Sequence, residues 1–388
     1  MFMDKSQRNY FDFTLLLLIF LFMIVSCIAI YSAQKYSPYG INFAARQAVW
    51  YAAGFGVSAF VYFFDFDQIK KISPYAYVFG VLVLIALFLA PDSIAPETKG
   101  AKAWFEIPKF GSLQPSEFMK LFLIIFLARV ISNHNEAYLD RTFQTDLKLL
   151  GKISAVAVLP LAFILVQPDA GTAMAVAAIV IGMTFISGIN WRIIAVLGGI
   201  AAFILASLVA IYLKAPDLLL LVLDPYQLNR IHSWLDPFED MQNSSYQLAY
   251  SILAIGSGTM YGKGFNAAQV NVPEAHSDFI FTIIGEEFGF FGASLVISLY
   301  FILIYRIIVI ALRNKGPYES LIATGVISVL TFHIFENIGM VIGLVPITGI
   351  PLPLLSYGGS SLLGTLLSLS LVLNISAKTK KYMFSEDD

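Results

Sequence analysis

The residues best suited to chemistry lie in Val272-Pro273-Glu274-Ala275-His276-Ser277-Asp278-Phe279-Ile280-Phe281. Polar and titratable groups run there straight into an aromatic, apolar helix start. Asp278 falls at a water–membrane boundary, where partial desolvation favours proton uptake, the property of a general base. An Asp in that place also reads as a helix N-cap. Glu274 and His276 share the loop and compete for the role. Glu286 and Glu287 follow within the next helix. A carboxylate pair that deep suggests a polar cavity, although bending at Gly285 and Gly289 would also admit water.

Other charges sit where charge is costly, so each needs a reason. In Gln114-Pro115-Ser116-Glu117-Phe118-Met119-Lys120 the i, i+3 spacing puts Glu117 and Lys120 on one helix face. They read either as an interfacial ion pair or as a cation for an anionic head group, oriented by its carboxylate. Asp169 precedes Gly171 and Thr172 and has the position of a helix cap. Arg46 opens a helix on the outer face, as an anchor or a site residue. His333, Glu336 and Asn337 share one helical stripe. The histidine reads as hydrogen-bonded filler, and no spacing here makes a metal cage.

The stretch Val345-Pro346-Ile347-Thr348-Gly349-Ile350-Pro351-Leu352-Pro353-Leu354-Leu355-Ser356-Tyr357-Gly358-Gly359-Ser360-Ser361 is nearly apolar, yet its three prolines and three glycines forbid a regular helix. Irregular backbone at membrane depth is tolerated only against protein or a wet cavity. A re-entrant segment over about 345–361 follows. Transporters use the same device, so it does not by itself separate an enzyme from a carrier.

The elements that must position these groups follow from composition. Of 388 residues, 58% are hydrophobic and 13% charged. That is too apolar for disorder and too poor in charge to coat several soluble domains. The net charge of −2 leaves no basic surplus for nucleic acid. The one cysteine, Cys27, lies within an apolar run, so neither an internal disulfide nor a cysteine-based metal site is available. The run from Phe11 to Tyr31 is too long for the core of a signal peptide and reads as a retained helix.

Ten segments are apolar enough to span: about 11–31, 46–64, 74–90, 116–132, 153–167, 171–188, 192–213, 279–310, 319–345 and 361–377. Gln167-Pro168-Asp169-Ala170-Gly171 breaks the fifth from the sixth. The predicted class is therefore an all-α polytopic membrane protein, one integral domain over 1–388. Fifteen of the 24 Lys and Arg fall on the side of the termini, among them Lys5, Arg8, Lys70, Lys71, Lys148 and Lys315, which places both termini in the cytoplasm. Two large connections then face outward, about 91–115 and 214–278. The second holds Trp234, Tyr226 and the apolar stretch Leu218–Leu223, so it is a structured loop and points to outward-facing chemistry.

At these residues the chain resembles the SEDS family (shape, elongation, division and sporulation), the group of RodA, FtsW and SpoVE. The motifs are Lys99-Gly100-Ala101-Lys102-Ala103-Trp104, Gln114-Pro115-Ser116-Glu117 with Lys120, and Gln167-Pro168-Asp169-Ala170-Gly171-Thr172. Gly256-Ser257-Gly258 with Gly262-Lys263-Gly264 follows, then Pro273–Phe281, then Pro351–Ser361. Each alone is weak, whereas all in order on this helical pattern are specific. Thr259 and Ser277 depart from the family's usual Gly and Thr. Asn337-Ile338-Gly339-Met340 and the short charged tail lean toward RodA.

The resemblance implies polymerisation of lipid II, an undecaprenyl-pyrophosphate-linked disaccharide-peptide, into peptidoglycan strands. It also implies work in a complex with a class B penicillin-binding protein and other elongation or division machinery. The family's loop aspartate falls on Asp278, and its polar cavity on Arg46, Glu117, Lys120 and Asp169. The expected chemistry is inverting glycosyl transfer, with Asp278 as base for the acceptor 4-hydroxyl. Lys120 and Arg46 would meet the pyrophosphate, with Arg230 and Lys263 as further loop candidates. Glu117 and Asp169 would orient the cations or a divalent ion. Mg²⁺ bridges phosphates with few protein ligands, so the sequence neither shows nor excludes it. The competing readings are a lipid II flippase, an ion-coupled transporter and a scaffold that recruits its partner enzyme.

Overall fold

The computed structural model describes residues 12–36, 40–97, 101–107, 111–215, 225–239, 245–314 and 316–382. Lys5, Arg8, the Lys99-Gly100 start of the first motif, Leu218–Leu223 and Lys315 lie outside the described residues.

The described chain is mostly helical. Its α-helices are α1 (Phe13–Ala33), α2 (Phe43–Tyr62), α3 (Phe66–Leu89), α4 (Pro115–Ala137), α5 (Phe143–Val166), α6 (Ala170–Ile186), α7 (Trp191–Lys214), α8 (Pro225–Leu235), α9 (Tyr246–Ser257), α10 (Ile280–Arg313), α11 (Pro317–Val341) and α12 (Gly359–Tyr382). All but α8 and α9 overlap the ten apolar segments. Among the described residues, 7 helices are long and apolar enough to cross a membrane: α1, α3, α5, α7, α10, α11 and α12. The remaining long helices, α2, α4 and α6, are shorter or more polar. The described part of the long second connection supplies α8 and α9.

One departure from an all-α chain is a small antiparallel hairpin, β1 (Phe105–Ile107) with β2 (Gly111–Leu113), pairing Phe105 with Leu113. Phe105-Glu106-Ile107 alternates in polarity and Gly111 takes φ +100°, which suits a hairpin at a water-facing edge.

Helix starts follow local chemistry. Asp12, Asn42 and Asp169 accept N–H bonds from Leu15, Ala45 and Thr172 at 3.1, 3.0 and 3.0 Å, capping α1, α2 and α6. Pro115 and Pro317 open α4 and α11, where a missing N–H does no harm.

The bundle packs α4 against α3 and α11, α12 against α2, α6 against α11, and α10 against α1 and α11. Helix α7 buries only Ile193 and turns the rest of its apolar surface outward. One end of the bundle is tied by ion pairs: Asp12–Arg306 at 2.6 Å, Asp65–Lys378 at 2.7 Å and Lys70–Glu136 at 3.1 Å. The other end carries the hairpin, the 273–279 turn and an irregular segment over 342–358. Helix α11 stops at Val341, and Gly343 takes φ +78° just beyond it, a left-handed helix stop.

Candidate active site

An irregular segment inside a helical bundle has carbonyls without ladder partners, and each must find a donor or lose several kcal/mol. Side chains of five helices supply them. Ser26 Oγ of α1 donates to Leu355 O at 2.8 Å, and Gln47 Nε2 of α2 to Ser356 O at 3.1 Å. The Tyr51 hydroxyl binds Leu354 O, and Tyr300 of α10 donates to Pro353 O at 2.5 Å. Asn337 of α11 donates to Ile350 O at 2.7 Å. From the long loop, Arg230 Nη1 of α8 donates to Ile347 O at 3.0 Å and Trp234 Nε1 to Gly343 O at 2.9 Å. The irregular stretch over 342–358 is thus a wall held by side chains of the helices around it.

The turn carrying Asp278 is fastened to that wall. Asn337 Nδ2 also donates to Asp278 O at 2.7 Å, and Ser356 Oγ donates to Ser277 O at 2.6 Å. Tyr357 N donates to His276 O at 2.9 Å. The His276 ring stacks on Phe43 of α2, with centroids 4.4 Å apart. Gly349, at φ +76°, faces Asp278: a Cβ there would lie 3.5 Å from Asp278 Oδ2. Asp278 itself is half-buried. Glu274, the competing base, sits at φ +56° with its carboxylate 4.0 Å from His276 Nε2.

A buried polar seam also borders the wall, at Pro353. Lys120 Nζ meets Glu117 Oε1 at 2.8 Å and His333 Nε2 at 3.1 Å. An ammonium only donates, so His333 Nε2 accepts and the ring proton sits on Nδ1. The partners thereby assign a neutral imidazole. A narrow cavity lined by Glu117, Lys120, His333, Pro353, Thr365 and Ser368 opens beside them. His333 and Asn337 lie one turn apart on α11, so one stripe touches both Lys120 and the Asp278 backbone. Glu336 on the same helix is buried.

The remaining sequence candidates divide. Arg46 is exposed in the first turn of α2, one turn from Phe43 and thus beside the His276 stack. Arg230 is docked on the wall two residues from Gly349. Asp169 caps α6 and also accepts from Thr172 Oγ1 at 2.7 Å and Gln114 Nε2 at 2.9 Å, the cap its sequence position suggested. Lys263 pairs instead with Glu286 Oε1 at 2.6 Å, between the α9–α10 loop and α10. His333 is the residue that sequence reasoning passed over as filler. The signal available was its i, i+4 spacing to Asn337 in a helix that also holds Glu336. Among the described residues, no three His, Cys, Asp or Glu side chains converge as a metal cage.

Comparison with known proteins gives a consistent picture. A family model described as cell cycle protein, FtsW/RodA/SpoVE, matches residues 7–381. Stage V sporulation protein E of Bacillus subtilis is 35% identical over 373 residues, 93% of this chain and 94% of that protein. Peptidoglycan glycosyltransferase MrdB of Escherichia coli K12 is 31% identical, covering 96% of this chain and 95% of its own. A solved structure described as showing the structural coordination of polymerization and crosslinking by a peptidoglycan synthase complex superposes with a TM-score of 0.78 at 26% identity, over 97% of this chain and 99% of that one.

Proposed function

This chain belongs to the FtsW/RodA/SpoVE family of cell cycle proteins, and from that premise we propose that it is a peptidoglycan glycosyltransferase that polymerises lipid II. It is a multi-pass protein of the cytoplasmic membrane. In this reading the ten long helices cross the bilayer as one domain with both termini inside. The ion-paired end then faces the cytoplasm and Asp278 faces outward. The strands made serve elongation and cell shape, or division. The partner that cross-links them is a class B penicillin-binding protein, a reading supported by the likeness to a peptidoglycan synthase complex.

The observation that carries this reading is how Asp278 is held. Its backbone is fixed by Asn337, and that of its neighbours by Ser356 and Tyr357, while the residue stays half-buried against the same irregular segment that lines the Lys120 cavity at Pro353. A half-buried carboxylate carried on a fixed backbone suits a base, because proton transfer requires hydrogen-bond reach to one hydroxyl. The acceptor 4-hydroxyl gives its proton to Asp278 as its oxygen attacks the anomeric carbon of the donor. The bond to the lipid pyrophosphate breaks with inversion, and the pyrophosphate leaves with the electron pair. Arg46 and Lys120 offset the charge of that leaving group, Glu117 and His333 hold Lys120 in place, and Arg230 steadies the wall. A Mg²⁺ ion bound with the pyrophosphate would add positive charge there, and Glu117 and Asp169 are the carboxylates that would hold it.

Polymer formation from purified lipid II tests the proposal, with the chain alone and with its penicillin-binding partner. Asp278→Ala should lower the rate by about 100-fold or more while folding and partner binding persist. Equal polymer from both proteins would overturn the assignment and make Glu274→Ala the next variant. No polymer under any condition, with lipid II translocation in liposomes, would establish the flippase instead.

A further inference from the structure

Helix α10 is broken where the sequence allowed only for bending. Gly289 takes φ 61° and ψ −157° inside the helix. The loop over 258–264, from the last glycine of the Gly-Ser-Gly motif through the Gly-Lys-Gly motif, inserts at the break. Lys263 N and Gly264 N donate to Glu286 O and Glu287 O at 3.0 and 2.9 Å, while Phe290 N donates to Thr259 O at 2.9 Å. A Cβ on Gly258 or Gly262 would lie 2.1 Å from the carbonyl oxygens of Gly285 and Glu287. These glycines are therefore required by close backbone approach. The segment 280–288, with Asp278 just before it, is thus a short helix whose far end rests on this loop.

The side chains close the arrangement. Glu286 is fully buried, and its Oε1 receives Lys263 Nζ at 2.6 Å, Gln269 N at 2.8 Å and Val270 N at 3.2 Å. Glu287 Oε1 receives Ala268 N at 3.2 Å and the Ser32 hydroxyl of α1. Two adjacent carboxylates of α10 thereby hold residues 268–270, which lead into the 273–279 turn. Asp278 stands at the tip of a loop whose base is clasped at 268–270 and 286–287. A fully buried carboxylate is tolerated only when paired and hydrogen-bonded, so Lys263 is committed to Glu286.

We propose that Lys263 is a positioning residue that acts on Asp278 through Glu286: their ion pair clasps the base of the 268–287 loop and fixes where the general base stands. This rests on the reading of Asp278 as the base. Displacing a reacting group by about 1 Å lowers a rate by about 100-fold, so the clasp should govern turnover and leave substrate affinity alone.

The experiment is lipid II polymerisation by the full chain with its partner, reading kcat and KM separately. Lys263→Met should lower kcat about 10- to 100-fold with KM changed less than about two-fold. Lys263→Arg, which can still pair with Glu286, should recover most of kcat. Glu286→Gln keeps acceptors for Gln269 and Val270; it should match Lys263→Met, and it replaces that variant if Lys263→Met does not fold. The double variant should be no slower than the worse single, because the two act as one unit. A raised KM with unchanged kcat in Lys263→Met, an inactive Lys263→Arg, or losses that multiply in the double variant would overturn the clasp. Asp278→Asn separates the two claims. If it is inactive while Lys263→Met polymerises normally, only the clasp falls. If Asp278→Asn is fully active, the base assignment falls.

Discussion

Removing Glu117 leaves the Lys120 ammonium buried without its carboxylate, and the structure fixes how much that should matter. The two side chains are 7% and 5% exposed and 2.8 Å apart. Breaking a buried pair by deleting one partner costs about 3–5 kcal/mol, whereas replacing both partners by apolar residues is near neutral. In Glu117→Leu, Lys120 still has His333 Nε2 at 3.1 Å as an acceptor, so the expected loss is at the low end, about 3 kcal/mol. In Lys120→Leu the carboxylate loses the ammonium that pairs with it at 2.8 Å, and the loss should approach about 5 kcal/mol. The double variant Glu117→Leu/Lys120→Leu should return to within about 1 kcal/mol of the parent. Reversible unfolding in mixed micelles reads this order directly. All three variants should fail to polymerise lipid II, because Lys120 is gone or no longer held. A double variant as unstable as the worse single would show that the pair does not behave as a buried unit. A double variant that polymerises normally would remove Lys120 from the chemistry.

Other expectations follow from single contacts. Asn337→Leu removes both 2.7 Å bonds to Asp278 O and Ile350 O; kcat should drop about 10- to 100-fold with smaller change in KM, and unchanged turnover would show that the turn is held without it. Gly262→Ala places a Cβ 2.1 Å from Glu287 O at φ +78°, so the purified protein should unfold well below the parent temperature; a parent-like midpoint would refute the close approach. Outside the spanning helices, burial pushes the Asp12 carboxyl up, but the Arg306 guanidinium and the Leu15 N–H outweigh it and hold it below its ordinary range. A lowered folded value means the stabilisation is present above an aspartate's ordinary pKa of about 4 and is lost as pH falls through the folded value. Asp12→Asn should therefore be less stable than the parent near neutral pH and converge with it in acid; a gap independent of pH would refute the assignment.

The helices were legible because a bilayer imposes their length and apolarity. The Gln167–Gly171 break was also legible, since Pro and Gly act locally: α5 ends at Val166 and α6 begins at Ala170. The irregular 342–358 stretch followed from three prolines and three glycines. What stayed hidden were contacts between residues far apart in the chain. His333 reads as filler until α11 packs on α4 and brings Lys120 to it. Lys263 reads as a loose loop cation until α10 breaks at Gly289 and presents Glu286. The glycine motifs were visible as a pattern, but their reason, a loop inserted into a broken helix, belongs to tertiary structure. The hairpin at Phe105–Leu113 was missed because two three-residue strands carry too short a period to read.

The contacts around Asp278 also bear on where function can be disturbed. The wall over 342–358 takes its hydrogen bonds from Ser26, Gln47, Tyr51, Tyr300 and Asn337, on four different helices. None of these donors has to touch substrate for its loss to matter, because each holds a carbonyl of the segment against which Asp278 and Lys120 are set. Preorganised charge is effective only while its supports stay fixed, since any reorganisation is added to the barrier. Apolar residues could fill the same volume but could not satisfy those carbonyls. The hydroxyls and amides inside α1, α2, α10 and α11 are therefore part of the site, although they lie in the core of helices otherwise chosen to be apolar.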